Sequence, residues 1–506
     1  MGRFKLLLLT LIIFIFNQCA SSKIGQSGTL TKEEDAVLAT KMDALINDLY
    51  KEHNIQSGLA IGVVKDGKII YSRGFGSRYP EKKLQMTTET PFYIASSTKS
   101  FVAFAAKKLE TQGKLSLHKS MAENLPGFSF SNPKLDASTI KMTELISHTH
   151  GINNIPAQVW TAFLGARSDQ QIDSLLQSQS IPFPDKQYRY SNLGMIYTAY
   201  IIRQVTGKSW HQQVEDLIFK PLDMKNSACF VSKFSQNEIA RNVIDAEKNS
   251  ATSNFLKKDN TMSPAGGIIA SVNDLLHWVS IFINNGKYGN QQILNNAELE
   301  DILTPYAVQD RPWNDYQRSG YSLGWDISTF NGEKMYSRFG GFDGLSTHIS
   351  FLQEHKIGIV AVSNGDVFSY MPHLLANYAY NITLNKANAE TMLLENKEAL
   401  KSKAARDKEA REKARPGKPV YQENVTDYVG VYNDVTWGTI KISIENGILT
   451  FKWENLNGKA YPQADRPHVY RVEMDIVDLS GNIEFLFEND KLVGLRNGQM
   501  KFIKVK

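Results

Sequence analysis

Tyr93-Ile94-Ala95-Ser96-Ser97-Thr98-Lys99-Ser100-Phe101 is followed by apolar positions at Val102, Phe104, Ala105 and Leu109, up to Gly113. The spacing predicts a helix that begins near Ser96. Residues three apart share one helical face, so Lys99 would sit one turn beyond Ser96 with its amine near the hydroxyl. The helix start would also turn backbone N–H groups and the positive dipole end toward an oxyanion formed at Ser96. A serine hydroxyl is a weak nucleophile at neutral pH and needs a base. A lysine whose pKa is depressed by burial or by a neighbouring cation can be that base. Alone, S-x-x-K is weak evidence, because ordinary exposed helix starts produce it far more often. Ser116-Leu117-His118-Lys119 is a second instance with no comparable apolar helix behind it.

Two stretches further along change the weight of the first. Tyr188-Arg189-Tyr190-Ser191-Asn192-Leu193-Gly194 reads as a turn before a helix. There Tyr190 can take the serine proton as a phenolate if Lys99 and another cation lower its pKa, and Asn192 can donate a hydrogen bond to substrate. A packed tyrosine beside a turn asparagine is the commoner origin of an isolated Tyr-x-Asn, and Tyr288-Gly289-Asn290 is such a case. Ser337-Arg338-Phe339-Gly340-Gly341-Phe342-Asp343-Gly344 is by default a glycine-rich turn. Placed across from the serine helix, Gly340 and Gly341 would let a substrate lie close to an edge strand and offer it a backbone N–H. Arg338 would then face a substrate carboxylate.

In this order and at this spacing the three stretches resemble the family of class C β-lactamases, D-alanyl-D-alanine carboxypeptidases and related serine esterases and peptidases. The resemblance covers roughly residues 35 to 385. It extends to Leu145-Ile146-Ser147-His148-Thr149-His150-Gly151-Ile152, to Pro264-Ala265-Gly266-Gly267-Ile268 with Asp274-Leu275, and to Gly324-Trp325. It implies that Ser96 is acylated, that Lys99 and Tyr190 share the general acid/base work, and that the Ser96 and Gly341 amides form the oxyanion hole. It also implies structural rather than catalytic roles for His148 and His150. One departure stands out: the third motif is Lys-Thr-Gly in the β-lactamases and carboxypeptidases and His-x-Gly in many relatives, but Arg338-Phe339-Gly340 here. Arginine keeps the charge as a broad planar fork, and Phe339 lacks the hydroxyl that would bind a carboxylate. That argues against efficient β-lactam hydrolysis.

The expected architecture is α+β. Thr31-Lys32-Glu33-Glu34 has a capping-box pattern, and Leu38, Met42, Leu45, Ile46 and Leu49 recur at helical spacing behind it. Leu59 to Val64 and Lys68 to Arg73 flank Asp66-Gly67, a hairpin signal. Helical periods dominate from about Pro91 to Gly286, and strand character returns at Ser322 to Thr329 and at Thr347 to Val362. Helices inserted between the first and last strands of one antiparallel sheet are expected. A charged, exposed helix should run from about Ala387 to Lys413, ended by Pro416 and Pro419. Short alternating runs beyond it predict a small β-barrel or sandwich, which resembles the lipocalin-like modules often appended to such hydrolases. The expected divisions are a signal peptide over 1–19, a tether over 20–30, the hydrolase over 31–386, a helical linker over 387–420 and the β-domain over 421–506.

Arg3, Lys5 and the apolar run from Leu6 to Phe16 read as an export signal too short for a good membrane-spanning helix. Cys19 just beyond it resembles a bacterial lipoprotein processing and lipidation site. A simple secretory signal or an uncleaved anchor are the alternatives, and all three place the chain in the bacterial cell envelope or outside the cell. With Cys229 the only other cysteine, disulfide scaffolds are excluded. The ten histidines show no metal-site spacing, and no cofactor is expected. The net charge of +5 equals the excess of nine basic over four acidic residues between Lys397 and Lys418, which reads as a solvated helix rather than a nucleic-acid surface. The expected activity is acyl transfer from an amide or ester, on a small molecule or peptide, through Ser96. The rival expectation is a slowly acylating or non-catalytic protein that binds or senses peptidoglycan fragments or β-lactams.

Overall fold

The computed structural model describes residues 33–244, 251–253, 256–366, 369–414, 424–463, 466–476 and 479–505. Cys19, the export segment and the first half of the capping-box pattern lie outside them. No helix among the described residues is long and apolar enough to cross a membrane.

The first helix, α1 (Glu33–Glu52), leads into a nine-stranded antiparallel sheet. Its strands are β1 (Leu59–Lys65), β2 (Lys68–Phe75), β3 (Ala307–Trp313), β4 (Tyr316–Tyr321), β5 (Asp326–Phe330), β6 (Glu333–Ser337), β7 (Gly340–Phe342), β8 (Leu345–Leu352) and β9 (Ile357–Ser363). They lie in the order β3-β4-β5-β6-β8-β9-β1-β2, with β7 continuing beside β8. Asp66 (φ 50°) and Gly67 (φ 74°) both take the left-handed conformation a two-residue hairpin turn requires. The first strand closes against the last, Leu59 opposite Ser363 and Lys65 opposite Ile357.

Apolar alternation across β1 explains the layering. Leu59, Ile61 and Val63 pack with α1 and with α5 (Met371–Thr383), while Ala60 and Val64 join the larger core on the other face. That core holds α2 (Thr98–Thr111), α3 (Leu193–Thr206) and α4 (Val272–Ile283). Both faces of the central strands are therefore covered, and the strands read as continuous apolar runs.

Two expectations need correction. Ser322 to Trp325 is a turn, with the Ser322 amide donating to the Trp325 carbonyl, and the strand expected from Ser322 begins at Asp326. Strands β3, β4 and β6 were not foreseen. The helix α6 (Ala389–Ala414) is not exposed throughout: Leu400 and Asn396 are buried against the hydrolase body, Asn396 beside Asn377 of α5. Its charged residues solvate the other face.

After α6 the chain forms a closed eight-stranded barrel, β10 (Gly430–Asp434) through β17 (Met500–Lys504), in sequential order. It docks on the segment Trp160–Leu164. Trp160 Nε1 donates to the Thr436 carbonyl at 2.8 Å, Arg167 reaches the Val435 and Thr436 carbonyls at 2.8 and 2.9 Å, and Asn455 donates to the Leu164 carbonyl at 2.7 Å.

Candidate active site

Ser96 sits on a short 3-10 turn, Ala95–Ser97, that runs directly into α2. Ala95 has φ 46°, a conformation that a residue with a side chain adopts at a cost and that clusters at functional turns. The turn is held from three sides. Ser97 Oγ donates to the Arg338 carbonyl at 2.9 Å, the Ile268 amide donates to Thr98 Oγ1 at 3.1 Å, and the Ile94 amide donates to the Ile268 carbonyl at 3.1 Å.

Lys99 lies where the helical period puts it. Fully buried, it directs Nζ to Ser96 Oγ at 3.1 Å, Asn192 Oδ1 at 2.8 Å and the Ala265 carbonyl at 2.9 Å. Burial lowers its pKa to about 8, with Tyr190 pulling it back up and Arg338 pushing it further down. A base near that value is partly neutral close to pH 7.

Tyr190 closes the group from the turn before α3. The residue is 42% exposed and lines the open cleft, yet its hydroxyl accepts from Arg338 Nη2 at 2.6 Å. Lys99 Nζ and Arg338 Cζ lie 4.9 and 5.0 Å from the ring centroid. Enclosure of the hydroxyl opposes ionisation, but Arg338 and then Lys99 outweigh it, so the phenol titrates below its ordinary value. The opening of the ring to the cleft weakens the enclosure relative to the two cations.

Arg338 is not placed as expected. Instead of presenting a free fork to a substrate carboxylate, it is 4% exposed, and each of its nitrogens is engaged within the protein. Nε donates to the Ser96 carbonyl at 3.1 Å, Nη1 to the Tyr321 hydroxyl and to Asp326 Oδ2, both at 3.2 Å, and Nη2 to Tyr190. Its charge serves the tyrosine. Phe339 packs with Trp313, Tyr316, His348 and His373 at ring-centroid distances of 4.6 to 5.2 Å.

Asn192 turns its amide oxygen to Lys99, which leaves the NH2 group as the donor available to a substrate. Gly340 and Gly341 lie on β7, which pairs with β8 through Thr347 and Ser346. They differ in what they need. A Cβ at Gly340 would lie 2.1 Å from the Ile94 carbonyl oxygen, so its bareness serves the docking of β7 on the serine turn. A Cβ at Gly341 would meet nothing nearer than 3.9 Å, so the strand is open to a substrate there.

His148 and His150 are buried and neutral, burial being the main cause of their lowered pKa values. His148 Nδ1 accepts from the Ser191 amide at 3.3 Å, and its ring packs against Tyr188, Tyr190 and Tyr321. Sequence reasoning missed Asp326 and Tyr321, which hold Arg338, and the Ala265 carbonyl, which holds Lys99. The neighbouring Gly324-Trp325 and Pro264-Ala265 were the available signals. Among the described residues, Glu110, His118 and Asp301 bring ligand atoms within 4.8 Å of one another, but Lys107 already pairs with both carboxylates.

The Beta-lactamase family profile matches residues 42–379, more than half of the chain. Protein flp of Staphylococcus aureus strain MW2 is 25% identical over 347 residues, 67% of this chain and 66% of that protein, so the chain spans just under two thirds of that relative's length. Among solved structures, the octameric penicillin-binding protein homologue from Pyrococcus abyssi superposes with a TM-score of 0.59 at 22% identity, covering 92% of this chain and 99% of that one. A D-amino acid amidase from Ochrobactrum anthropi superposes with a TM-score of 0.57 at 18% identity, covering 70% and 99%. The two solved structures share the fold, and the family match spans the serine turn, the tyrosine turn and the strand that faces them: the chain belongs to the Beta-lactamase family.

Proposed function

We propose that the protein is a serine hydrolase that works through an acyl-enzyme on amides or esters, as a peptidase or esterase rather than an efficient β-lactamase. The observation that carries this reading is the contact of Lys99 Nζ with Ser96 Oγ at 3.1 Å, beside a Tyr190 hydroxyl held at 2.6 Å by Arg338. Ser96 Oγ adds to the substrate carbonyl carbon while its proton passes to the Lys99–Tyr190 pair. The pair returns that proton to the leaving nitrogen or oxygen as its bond to carbon breaks. Water then adds to the ester and delivers its own proton to the same pair, and Ser96 departs with it.

The amidase among the structural neighbours supports amide substrates, and the engagement of Arg338 by Tyr190 and Asp326 speaks against the carboxylate grip a β-lactam needs. Export and lipid attachment at Cys19, giving an envelope protein held by an N-terminal lipid, belong to the same proposal and rest on the sequence pattern alone. Incorporation of labelled palmitate into the wild type but not Cys19→Ala would support that attachment, and equal incorporation would refute it.

Intact-mass analysis after exposure to a fluorophosphonate, and separately to a penicillin, tests the chemistry. One fluorophosphonate adduct that disappears in Ser96→Ala, with little or no penicillin adduct, is the expected result. Absence of any adduct would overturn the hydrolase reading, and a stable adduct without turnover of any ester or amide would favour the sensor.

A further inference from the structure

Lys99 Nζ has three partners, and two of them can only accept: Asn192 Oδ1 at 2.8 Å and the Ala265 carbonyl at 2.9 Å. A neutral amine has two N–H bonds and one lone pair. With both N–H bonds directed at those oxygens, the lone pair faces Ser96 Oγ at 3.1 Å, where it can receive the serine proton. The Ala265 carbonyl is therefore part of what aims the base.

The stretch that carries this carbonyl is a run of short turns. The Thr261 amide donates to the Lys258 carbonyl at 2.8 Å and the Lys258 amide to Thr261 Oγ1 at 2.9 Å. The Met262 amide reaches the Asp259 carbonyl at 3.3 Å, the Gly266 amide the Ser263 carbonyl at 2.9 Å, and the Ala265 amide Ser263 Oγ at 3.3 Å. A second segment, Trp160 to Gly165, lies directly against these turns. A Cβ at Gly165 would sit 2.6 Å from Thr261 Cγ2 and 2.7 Å from Asn260 Oδ1. From inside the body, Lys257 Nζ joins the two segments, donating to the Ala162 and Thr261 carbonyls at 2.9 and 3.2 Å.

From outside, the barrel joins them. Asn455 stands in the tight hairpin between β12 (Ile448–Trp453) and β13 (Leu456–Pro462). Both ends of its amide are engaged: Nδ2 donates to the Leu164 carbonyl at 2.7 Å, and Oδ1 accepts from Lys258 Nζ at 2.7 Å. The hairpin is itself braced. Glu454 takes φ 52°, its Oε1 accepts from the Thr439 amide at 3.3 Å, and Trp453 Nε1 donates to the Trp437 carbonyl at 2.8 Å. That last contact ties it to the loop whose Thr436 carbonyl receives Trp160 and Arg167. The barrel thus grips the Trp160 to Arg167 segment at two points, and at one of them it reaches across to the Lys258 turn.

We propose that Asn455 is a positioning residue for Lys99: with Lys258 it splints the turns that present the Ala265 carbonyl, so that a residue of the barrel aims the base of the hydrolase. The inference rests on the hydrolase reading. Asn455 makes no bond to substrate, so its effect falls on kcat and on the titration of the base rather than on KM. Without its amide the two segments can separate, the carbonyl moves off Nζ, and the lone pair turns away from Ser96. A misplacement of about 1 Å can cost about 10²-fold in rate. The ammonium form loses an acceptor in the same movement, so the base gives up its proton at lower pH.

Asn455→Ala, Lys258→Met and the double variant, each in the full chain and assayed on a neutral ester, test the splint. Asn455→Ala should lower kcat about tenfold and Lys258→Met about threefold, with KM within about twofold of the wild type. In both, the alkaline-rising limb of the pH–rate profile should move to lower pH by about 0.5 unit or more. The double variant should lose no more than Asn455→Ala alone, because the two side chains form one link. Lys258 is exposed, so Lys258→Met keeps the test open if Asn455→Ala disturbs the barrel. Rates and limbs unchanged in both single variants, with the wild type active, would overturn the splint alone. So would a loss of rate matched by a smaller fraction of Ser96 labelled at saturating fluorophosphonate, with the limb unmoved, since that is a folding defect. A wild-type chain that is neither labelled nor active on any ester or amide would overturn the hydrolase reading, and the splint with it.

Discussion

Arg338 Nη2 lies 2.6 Å from the Tyr190 hydroxyl, and that contact ties the glycine-rich stretch to the tyrosine turn beside Ser96. The guanidinium is the largest influence lowering the Tyr190 pKa, ahead of Lys99. Arg338→Lys keeps a positive charge but cannot reach Tyr190, Tyr321, Asp326 and the Ser96 carbonyl together. The expected outcome is a kcat/KM at pH 7 reduced about a hundredfold to a thousandfold, the range seen when a preorganised donor is removed. The alkaline-rising limb of the pH–rate profile should move to higher pH. An unshifted profile would mean that Arg338 does not tune the tyrosine.

Lys99 and Tyr190 are expected to act as one titrating pair. Acylation needs the pair in a form that can accept the serine proton. Lys99 is held at about 8, so the competent fraction grows as pH rises and levels off above that value. A kcat/KM profile for a neutral ester should therefore climb between about pH 6 and 8 and then flatten, which stopped-flow or initial-rate assays would show. Tyr190→Phe should cost about 10²- to 10⁴-fold in kcat while leaving the melting temperature within a few degrees, because the ring remains. A flat profile in the wild type would remove Lys99 from the proton path.

The elements legible in the sequence were those whose signals are local. The serine helix shows itself through an apolar 3.6-residue period behind S-x-x-K, and the β1–β2 hairpin through Asp66-Gly67. Strands β3 and β4 gave no such signal. Val308 is 80% exposed, Pro312 lies within the first strand although proline argues against a strand in sequence, and Arg318-Ser319-Gly320 makes the second polar. Their pairing is decided by neighbouring strands rather than by their own composition. Asp326 could not be read as the partner of Arg338, since they meet only because the sheet register sets Asp326 opposite Ser337. The packing face of α6 belongs to the same class: its charged pattern predicts a solvated helix, and the burial of Asn396 and Leu400 reveals which side faces the hydrolase.

Gly340 and Gly341 should separate packing from substrate contact. A methyl group at position 340 would sit 2.1 Å from the Ile94 carbonyl oxygen and 3.2 Å from Ser97 Oγ, so β7 and the serine turn must move apart. Gly340→Ala is expected to lose about 1–3 kcal/mol of stability, as overpacking does, together with most fluorophosphonate labelling at Ser96. Gly341→Ala should keep its melting temperature, the nearest atom being 3.9 Å away, and should instead raise KM for bulky substrates. Denaturant melts beside labelling rates distinguish the two, and equal stability losses would contradict this division of roles.

Lys257 carries the last prediction. It is buried between Phe163 and Phe342, with Nζ 5.5 and 4.7 Å from their ring centroids, and donates to the Ala162 and Thr261 carbonyls at 2.9 and 3.2 Å. No carboxylate pairs with it among the described residues, and burial lowers its pKa to about 7 from the ordinary 10.5. Between these two values the unfolded chain holds the proton and the folded chain does not, so the folded state gains stability with rising pH. Below about pH 7 both forms are protonated and the full cost of burying the charge is present. Lys257→Met removes that cost. The variant should therefore exceed the wild type in melting temperature at pH 6, and the difference should shrink steadily toward pH 10. A difference independent of pH would show that the amine is solvated or paired in solution.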